Sequence, residues 1–253
     1  MAKTKPVSKG IQTAFVAADT QNSHRFDGAD PASLARYIDH TMLKPEADDA
    51  AFDKLCSEAQ QYGFKSVCIN SCRISYVKQK LNGTGVSICS VIGFPLGCMD
   101  TQSKTFEACR AVELGADELD MVINVGALKS GNLEYVEDDV SAVRKATEPT
   151  TVLKVIIETS LLTDDEKVSA CKISRNAGAD FVKTCTGFAG GGATSEDLAL
   201  MRQIVGPDMG VKASGGIRNY DRAVEVLNAG ANRIGAVSSV AIVTGVRAEG
   251  AGY

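Results

Sequence analysis

The segment Asn176-Ala177-Gly178-Ala179-Asp180, followed directly by Phe181-Val182-Lys183-Thr184, indicates the fold because its pattern recurs along the chain. A helical segment ends in Gly or Ala-Gly, and a short β-branched run follows. Glycine there suits the position just past a helix, where a positive φ is needed. Similar junctions are Gln61-Tyr62-Gly63-Phe64, Glu113-Leu114-Gly115-Ala116-Asp117 and Asn228-Ala229-Gly230-Ala231-Asn232. Repeated helix-to-strand passages of this kind indicate βα units and a parallel sheet.

Eight such runs predict eight strands, at residues 36–39, 65–70, 86–93, 118–124, 152–158, 181–184, 210–214 and 233–237. Between them lie helical patterns. Residues 47–61 would bury a face with Ala50, Ala51, Leu55 and Ala59, and residues 101–114 a face with Phe106, Cys109, Val112 and Leu114.

This order predicts an α/β fold, a single (β/α)8 TIM barrel over residues 34–253. Residues 1–33 would form an N-terminal leader or a short helix. An open doubly wound sheet is the alternative. Against it, no G-x-G-x-x-G follows the first strand and no Walker A motif is present.

Composition excludes several classes of protein. The 253 residues carry 27 Lys and Arg against 31 Asp and Glu, for a formal net charge of −4. The pI of about 5.3 argues against a nucleic-acid binder, which needs a basic footprint. No apolar run approaches the ~20 residues of a membrane span, and residues 14–18 are too few for a signal-peptide core. Asp19, Asp27 and Asp30 count against a transit peptide, so we expect a cytoplasmic protein without nucleic-acid or membrane partners.

Eight cysteines raise the question of a metal site or disulfides. No C-x-x-C occurs, and His24 and His40 are the two histidines, so four zinc ligands are difficult to assemble. Several cysteines lie in apolar runs, such as Cys68 in Ser66-Val67-Cys68-Ile69. We expect most of them to be reduced, buried packing residues.

Lysines in the middle of predicted strands are the strongest functional signal. Lys154, Lys183 and Lys212 lie on three successive strands. Strands of a parallel barrel are buried on both faces, so a charged ammonium there is costly unless it is paired or its pKa falls. One interpretation is pairing with Asp120 or Glu158. The other is a reactive amine, because Lys183 and Lys212 disfavour each other's charge, with Asp120 as a proton shuttle.

Glycines follow the last three predicted strands. They are Gly187 and Gly190-Gly191-Gly192, then Gly215-Gly216, then Gly235, with Ser238-Ser239 beyond it. Glycine lets backbone N–H groups approach a ligand closely, and barrels commonly bind phosphate after strands seven and eight. A turn in a loop explains any single one of these glycines, but glycines after three consecutive strands predict a phosphate site.

Several motifs together resemble the deoxyribose-phosphate aldolase family. The first is Phe181-Val182-Lys183-Thr184-Cys185-Thr186-Gly187-Phe188, with Gly190-Gly191-Gly192-Ala193-Thr194 after it. Others are Tyr37-Ile38-Asp39-His40-Thr41, Ser66-Val67-Cys68-Ile69-Asn70, Val91-Ile92-Gly93-Phe94-Pro95-Leu96-Gly97, Glu118-Leu119-Asp120-Met121-Val122, Leu153-Lys154-Val155-Ile156-Ile157-Glu158 and Val211-Lys212-Ala213-Ser214-Gly215-Gly216. The resemblance spans roughly residues 34–245.

This resemblance implies a class I aldolase of deoxyribonucleotide catabolism, without metal or organic cofactor. It would reversibly cleave 2-deoxy-D-ribose 5-phosphate to D-glyceraldehyde 3-phosphate and acetaldehyde through a lysine Schiff base. By matching position, Lys183 would form the Schiff base, Lys212 would depress its pKa, and Asp120 would relay protons through a bound water.

The resemblance also implies binding residues and an assembly. Cys68 and Thr186 would lie near the sugar carbons, and Lys154 would support the network. The phosphate residues would be Gly187, Gly215, Gly216, Gly235, Ser238 and Ser239. Family members are often dimers or larger, which predicts a homo-oligomer, either a dimer or a tetramer.

Three positions depart from the family pattern. Val237 stands where the family has a first serine, so either Ser238 and Ser239 shift by one residue or one hydroxyl contact is lost. Cys185 replaces a common serine. Phe188 replaces a basic residue of some members, so the phosphate site would depend more on N–H groups than on charge.

Two alternatives to this function remain open. A Schiff-base barrel aldolase for another phosphorylated sugar is one, and a non-catalytic phosphosugar-binding barrel is the other. The set of Lys183, Lys212 and Asp120 argues against the second. The terminal Tyr253 would either fold over the barrel mouth or form a disordered end. Cys68 and Cys185 are the predicted places for inactivation by an aldehyde or an oxidant.

Overall fold

A computed structural model, which describes residues 30–245, contains a closed barrel of eight parallel strands in sequence order. The strands are β1 (Ile38–Met42), β2 (Ser66–Ile69), β3 (Ser87–Ile92), β4 (Glu118–Val122), β5 (Val152–Ile156), β6 (Phe181–Lys183), β7 (Gly210–Ser214) and β8 (Arg233–Ala236). The predicted (β/α)8 barrel is confirmed. Tyr253 and most of the predicted leader lie outside the described residues.

Helices cover the outside of this barrel. They are α1 (Asp49–Tyr62), α2 (Ile74–Leu81), α3 (Thr101–Leu114), α4 (Val125–Lys129), α5 (Leu133–Ala146), α6 (Asp164–Asn176), α7 (Ser195–Val205), α8 (Tyr220–Asn228) and α9 (Ser239–Thr244). Gly63 and Gly115 follow α1 and α3 with φ of 68° and 112°, which confirms their predicted place at helix ends. Within residues 30–245, every helix is too short or too polar to cross a bilayer.

The first strand begins later than the sequence predicts. Residues Pro31–Tyr37 form a 3₁₀ helix, so the start of the predicted strand at Arg36 is wrong. The Asp30 side chain accepts a hydrogen bond from the Ala32 N–H at 3.0 Å, and a proline in the first turn has a φ suited to a helix. This helix packs against α9, and the predicted domain boundary at residue 34 falls within it.

The predicted buried faces of two helices are partly wrong. Leu55 and Ala59 of α1 are buried as predicted, whereas Ala50 is exposed. In α1 the buried residues are Phe52, Leu55, Cys56 and Ala59, and in α3 they are Lys104, Ala108 and Ala111. Phe106 of α3 is 73% exposed instead. Lys104 is buried because Asp139 of α5 pairs with it, and the two alanines allow α3 to approach the barrel closely.

The strands alternate between two environments, because successive side chains point to opposite faces. On β4, Leu119 and Met121 belong to the apolar layer under the helices, whereas Glu118 and Asp120 point into the barrel. The interior of the barrel is therefore lined with charged groups.

Candidate active site

Three lysines and one aspartate meet inside the barrel. Strand register pairs Lys183 with Lys212, and Asp120 with Lys154. Asp120 Oδ1 lies 2.9 Å from Lys154 Nζ, and Oδ2 lies 2.6 Å from Lys183 Nζ and 2.8 Å from Lys212 Nζ. The structure thus brings these four predicted residues together, with the Asp120 carboxylate at the centre.

Burial and electrostatic attraction shift the pKa values of Asp120, Lys154 and Lys212 in opposite directions. Burial alone would raise the pKa of Asp120, but Lys154, Lys183 and Lys212 hold it well below its ordinary value. Burial would likewise lower the pKa of Lys154 and Lys212, yet Asp120 and its neighbours raise both. Lys212 therefore stays charged near neutral pH and acts on Lys183 as a fixed positive charge.

Three further charged residues complete the cluster, and the sequence patterns did not single them out as site residues. Asp39 Oδ2 lies 2.5 Å from Lys212 Nζ, and its Oδ1 lies 2.7 Å from Arg233 Nη1. Glu118 Oε2 lies 2.9 Å from the same guanidinium. One signal was available for Glu118, because it stands two residues before Asp120 and so shares its face of β4.

The cluster holds more positive than negative groups. Within the described chain it consists of Lys154, Lys183, Lys212 and Arg233 against Asp39, Glu118 and Asp120. Lys154 has three of these carboxylates within 4.0 Å and Lys212 has two, whereas Lys183 has Asp120, which it shares. Lys183 is therefore the lysine of this cluster with the fewest carboxylate contacts.

Glu158, the other candidate partner of the buried lysines, serves a different residue. Its carboxylate accepts a hydrogen bond from the Thr186 N–H at 3.1 Å, and its own φ is 58°. The Thr186 hydroxyl in turn accepts from the Phe188 N–H at 3.1 Å. Of the two candidate partners, Asp120 pairs with the buried lysines, whereas Glu158 orients the loop after β6.

A cavity of about 140 Å³ opens over Lys183 at the carboxyl ends of the strands. Thr186 and five of the six predicted phosphate residues line it, namely Gly187, Gly215, Gly216, Gly235 and Ser238. Ser239 is fully buried at the start of α9, where its hydroxyl donates to the Ala236 carbonyl at 2.8 Å. Val237 and Arg218 also line the cavity, and the sequence patterns did not assign Arg218 to it.

Glycine is required where the cavity walls approach each other. Gly215 has a φ of 88°, and a Cβ on Gly192 would lie 2.7 Å from the Gly215 carbonyl oxygen. A Cβ on Gly235 would lie 3.1 Å from Lys212 Cε. Gly235 thus leaves room for the Lys212 side chain, a role beyond the predicted contact with phosphate.

Cys68 is not among the residues that line this cavity. It lies in a small buried cluster with Leu43, Cys89 and Val91, against which the partly buried Phe94 packs. Cys68, Cys89 and Asp120 offer three potential metal donors within 4.8 Å of one another. Three ammonium groups already bind Asp120, and a divalent cation would add to the surplus of positive charge. The set therefore suits a metal ion poorly.

The chain matches known proteins over most of its length. A family profile described as DeoC/LacD family aldolase matches residues 33–246. The deoxyribose-phosphate aldolase of Clostridium novyi is 56% identical over 221 residues, which cover 87% of this chain and 100% of that protein. That of Streptococcus gordonii is 58% identical over 217 residues, covering 86% and 98%. The tetrameric deoxyribose phosphate aldolase structure from Aeropyrum pernix has a TM-score of 0.79 at 38% identity, covering 85% of this chain and 91% of that one.

These matches confirm the resemblance that the motifs predict. They extend across the whole barrel, including the strands that carry Asp120, Lys183 and Lys212. The chain belongs to the DeoC/LacD family of aldolases.

Proposed function

We propose that this protein is a deoxyribose-phosphate aldolase of deoxyribonucleotide catabolism. It reversibly cleaves 2-deoxy-D-ribose 5-phosphate to D-glyceraldehyde 3-phosphate and acetaldehyde. The observation that carries the proposal is the Lys183 amine at the base of the cavity, bonded to a carboxylate that it shares with two other lysines. Relatives more than half identical to this chain carry the same name.

Lys183 provides the nucleophile. Its neutral amine attacks the aldehyde carbon of the open-chain sugar, and loss of water from the adduct leaves an iminium ion. When the bond between carbons two and three breaks, its electron pair flows into the iminium to form an enamine. The hydroxyl on carbon three loses its proton, and D-glyceraldehyde 3-phosphate departs. Protonation of the enamine and hydrolysis then release acetaldehyde and restore the amine.

Asp120 and Lys212 provide the acid–base chemistry. Each proton transfer needs a positioned donor or acceptor, and the Asp120 carboxylate touches both the nucleophile and Lys212. A water held by this pair carries protons to and from the sugar carbons. Lys154 fixes Asp120 from its other oxygen at 2.9 Å, and Cys68 and Thr186 bound the space near the reacting carbons.

The phosphate binds at the far end of the cavity. Gly187, Gly215 and Gly216 expose backbone N–H groups there, and Ser238 adds a hydroxyl. Arg218 is the added cation in this wall. Because the phosphate is bound away from Lys183, the aldehyde carbon at the other end of the sugar is held next to the Lys183 amine.

Covalent trapping tests this function. Borohydride reduction in the presence of acetaldehyde is expected to leave a two-carbon adduct on Lys183, and deoxyribose 5-phosphate is expected to be turned over. An adduct on another lysine, or none, contradicts the assignment. Turnover with dihydroxyacetone but not acetaldehyde as donor would indicate an aldolase for another phosphorylated sugar. Phosphosugar binding without turnover or adduct would indicate a non-catalytic barrel.

We also propose that the enzyme is a cytoplasmic homo-oligomer, either a dimer or a tetramer. A relative from Aeropyrum pernix is described as tetrameric, and Phe106 on α3 is an apolar side chain that is 73% exposed. The eight cysteines are free thiols, as is typical of a reducing compartment. Light scattering is expected to show more than one subunit, with a shift toward the monomer in Phe106→Glu.

A further inference from the structure

Two cysteine thiols face each other beside the lysine cluster. Cys68 on β2 and Cys89 on β3 occupy directly paired positions of neighbouring parallel strands, and both are buried. Neighbouring strands are about 4.8 Å apart, which lies within the Cα separation that a disulfide spans, about 4.4–6.8 Å. The two Sγ atoms already lie within 4.8 Å of each other. The backbone spacing therefore permits a bond between them.

The surroundings make the two thiols chemically different. The Cys89 thiol holds the pKa of Cys68 below its ordinary value, helped by Lys212 and Lys183 and opposed by burial and Asp120. Burial and the neighbouring Cys68 and Asp120 raise the pKa of Cys89 well above its ordinary value. Because the thiolate is the nucleophilic form, Cys68 reacts first and Cys89 follows as the resolving thiol.

We propose that Cys68 and Cys89 form an oxidation site, at which a hydroperoxide produces a reversible disulfide that switches the enzyme off. The Cys68 thiolate attacks the terminal peroxide oxygen and the O–O bond breaks. The leaving alkoxide, or hydroxide from hydrogen peroxide, takes up the proton that the Cys68 thiol had released and departs as an alcohol or water. Cys68 becomes a sulfenic acid. Cys89 then attacks Cys68 Sγ, the S–O bond breaks, and the sulfenic oxygen leaves as water with the Cys89 proton. Two thiols are oxidised and one hydroperoxide is reduced.

The disulfide disturbs the lysine cluster directly. Cys89 Sγ lies 3.1 Å from Asp120 Oδ1, where it donates a hydrogen bond, and 3.4 Å from Lys154 Nζ. A disulfide brings the sulfurs to about 2.05 Å and removes the thiol proton, so Asp120 loses this partner. A shifted Asp120 no longer holds Lys183 in place. This loss of turnover rests on the proposed aldolase function, whereas the cross-link itself does not.

Peptide mapping of the peroxide-treated protein tests the site. After treatment with hydrogen peroxide and alkylation of the remaining thiols, the non-reduced map is expected to contain a Cys68–Cys89 cross-link, lighter by two hydrogen atoms than its free peptides. Turnover is expected to fall at least about tenfold in step with the cross-link and to return with dithiothreitol. A protein that is inactive before oxidation contradicts the proposed function, yet its cross-link is still measured.

Two variants separate this site from general thiol damage. Cys89→Ala is expected to lose the recovery with dithiothreitol, since its Cys68 sulfenic acid has no partner and oxidises further. The matched control, Cys72→Ala with Cys98→Ala, removes two exposed thiols and is expected to cross-link as the parent does. Sulfinic acid at Cys68 in the parent without a cross-link overturns the proposal, as does full recovery of Cys89→Ala. A complete cross-link with unchanged turnover overturns the switch.

Discussion

Lys104 on α3 and Lys183 on β6 are both buried, but their partners differ. Lys104 Nζ contacts the Asp139 carboxylate at 2.5 Å and the carbonyls of Gly97 and Val122 at 3.2 and 3.0 Å. All three of its N–H donors are thereby used. Lys183 shares a single carboxylate with two other lysines and faces a cavity.

The difference shows what marks a reactive lysine. Lys104 and Asp139 balance each other one to one, and the Thr101 hydroxyl donates to the same carboxylate at 2.8 Å. This closed pair holds the loop after β3 against the barrel through Gly97. Burial of an ammonium therefore does not indicate chemistry by itself. At Lys183 it is the surplus of positive charge, together with access to a cavity, that indicates a reactive amine.

Removal of the Lys183 amine is expected to have the largest effect. Lys183→Met should lower kcat/KM by at least about 1000-fold, because Lys154 and Lys212 are held charged by their carboxylates and do not replace it as the nucleophile. Steady-state kinetics and borohydride trapping measure this loss. Lys172→Met, at an exposed position of α6, is the control and should keep full activity. An active Lys183→Met with a trapped adduct elsewhere would assign the chemistry to another lysine.

Breaking the Lys104 pair is expected to act on stability instead. Asp139→Ala leaves a buried ammonium without its counter-charge and should lower the free energy of unfolding by about 3–5 kcal/mol. At temperatures where the variant stays folded, kcat should change by less than about twofold. The double variant Lys104→Met with Asp139→Leu should recover most of the stability in urea unfolding. A loss of kcat that this double variant does not repair would contradict a purely structural role.

A substitution at Lys212 tests how a neighbouring positive charge acts on the Lys183 nucleophile. Lys212→Leu should lower kcat/KM roughly 100-fold near neutral pH, because it removes both an acid–base group and the repulsion that favours a neutral Lys183 amine. At alkaline pH the loss should shrink, since amines there lose their protons without the help of a neighbouring positive charge. The pH profile of kcat/KM measures this. An equal loss at every pH would leave proton transfer alone as the role of Lys212.

Substitution of the two serines after β8 is expected to have the smallest effect on activity. Ser238→Ala should raise KM for the phosphorylated sugar about three- to tenfold, which corresponds to one lost hydrogen bond of about 1 kcal/mol. Ser239→Ala should leave KM unchanged and lower the midpoint of urea unfolding, because its hydroxyl binds the Ala236 carbonyl. An effect on KM from Ser239→Ala as large as that from Ser238→Ala would contradict the observed position.

Local patterns were sufficient for most of the barrel. The Gly63 and Gly115 junctions placed strands β2 and β4 within a residue or two, because a helix end and the following strand depend on adjacent residues. The buried faces of α1 and α3 were predicted less well. A helical period identifies the residues that share a face. Lys104 rather than Phe106 is buried, however, because its ammonium pairs with the Asp139 carboxylate on a different helix.

Local residue patterns predicted the barrel, the three strand lysines with Asp120, and the glycine loops, since each depends on neighbouring residues or on the period of a strand. Contacts across the folded barrel were needed to show that Asp39 and Glu118 complete the charge cluster, that Ser238 rather than Ser239 lines the cavity, and that Cys68 lies opposite Cys89. The physical reason is that charge balance, access to a cavity and thiol contact arise between strands far apart in sequence. Closure of the barrel brings those strands together.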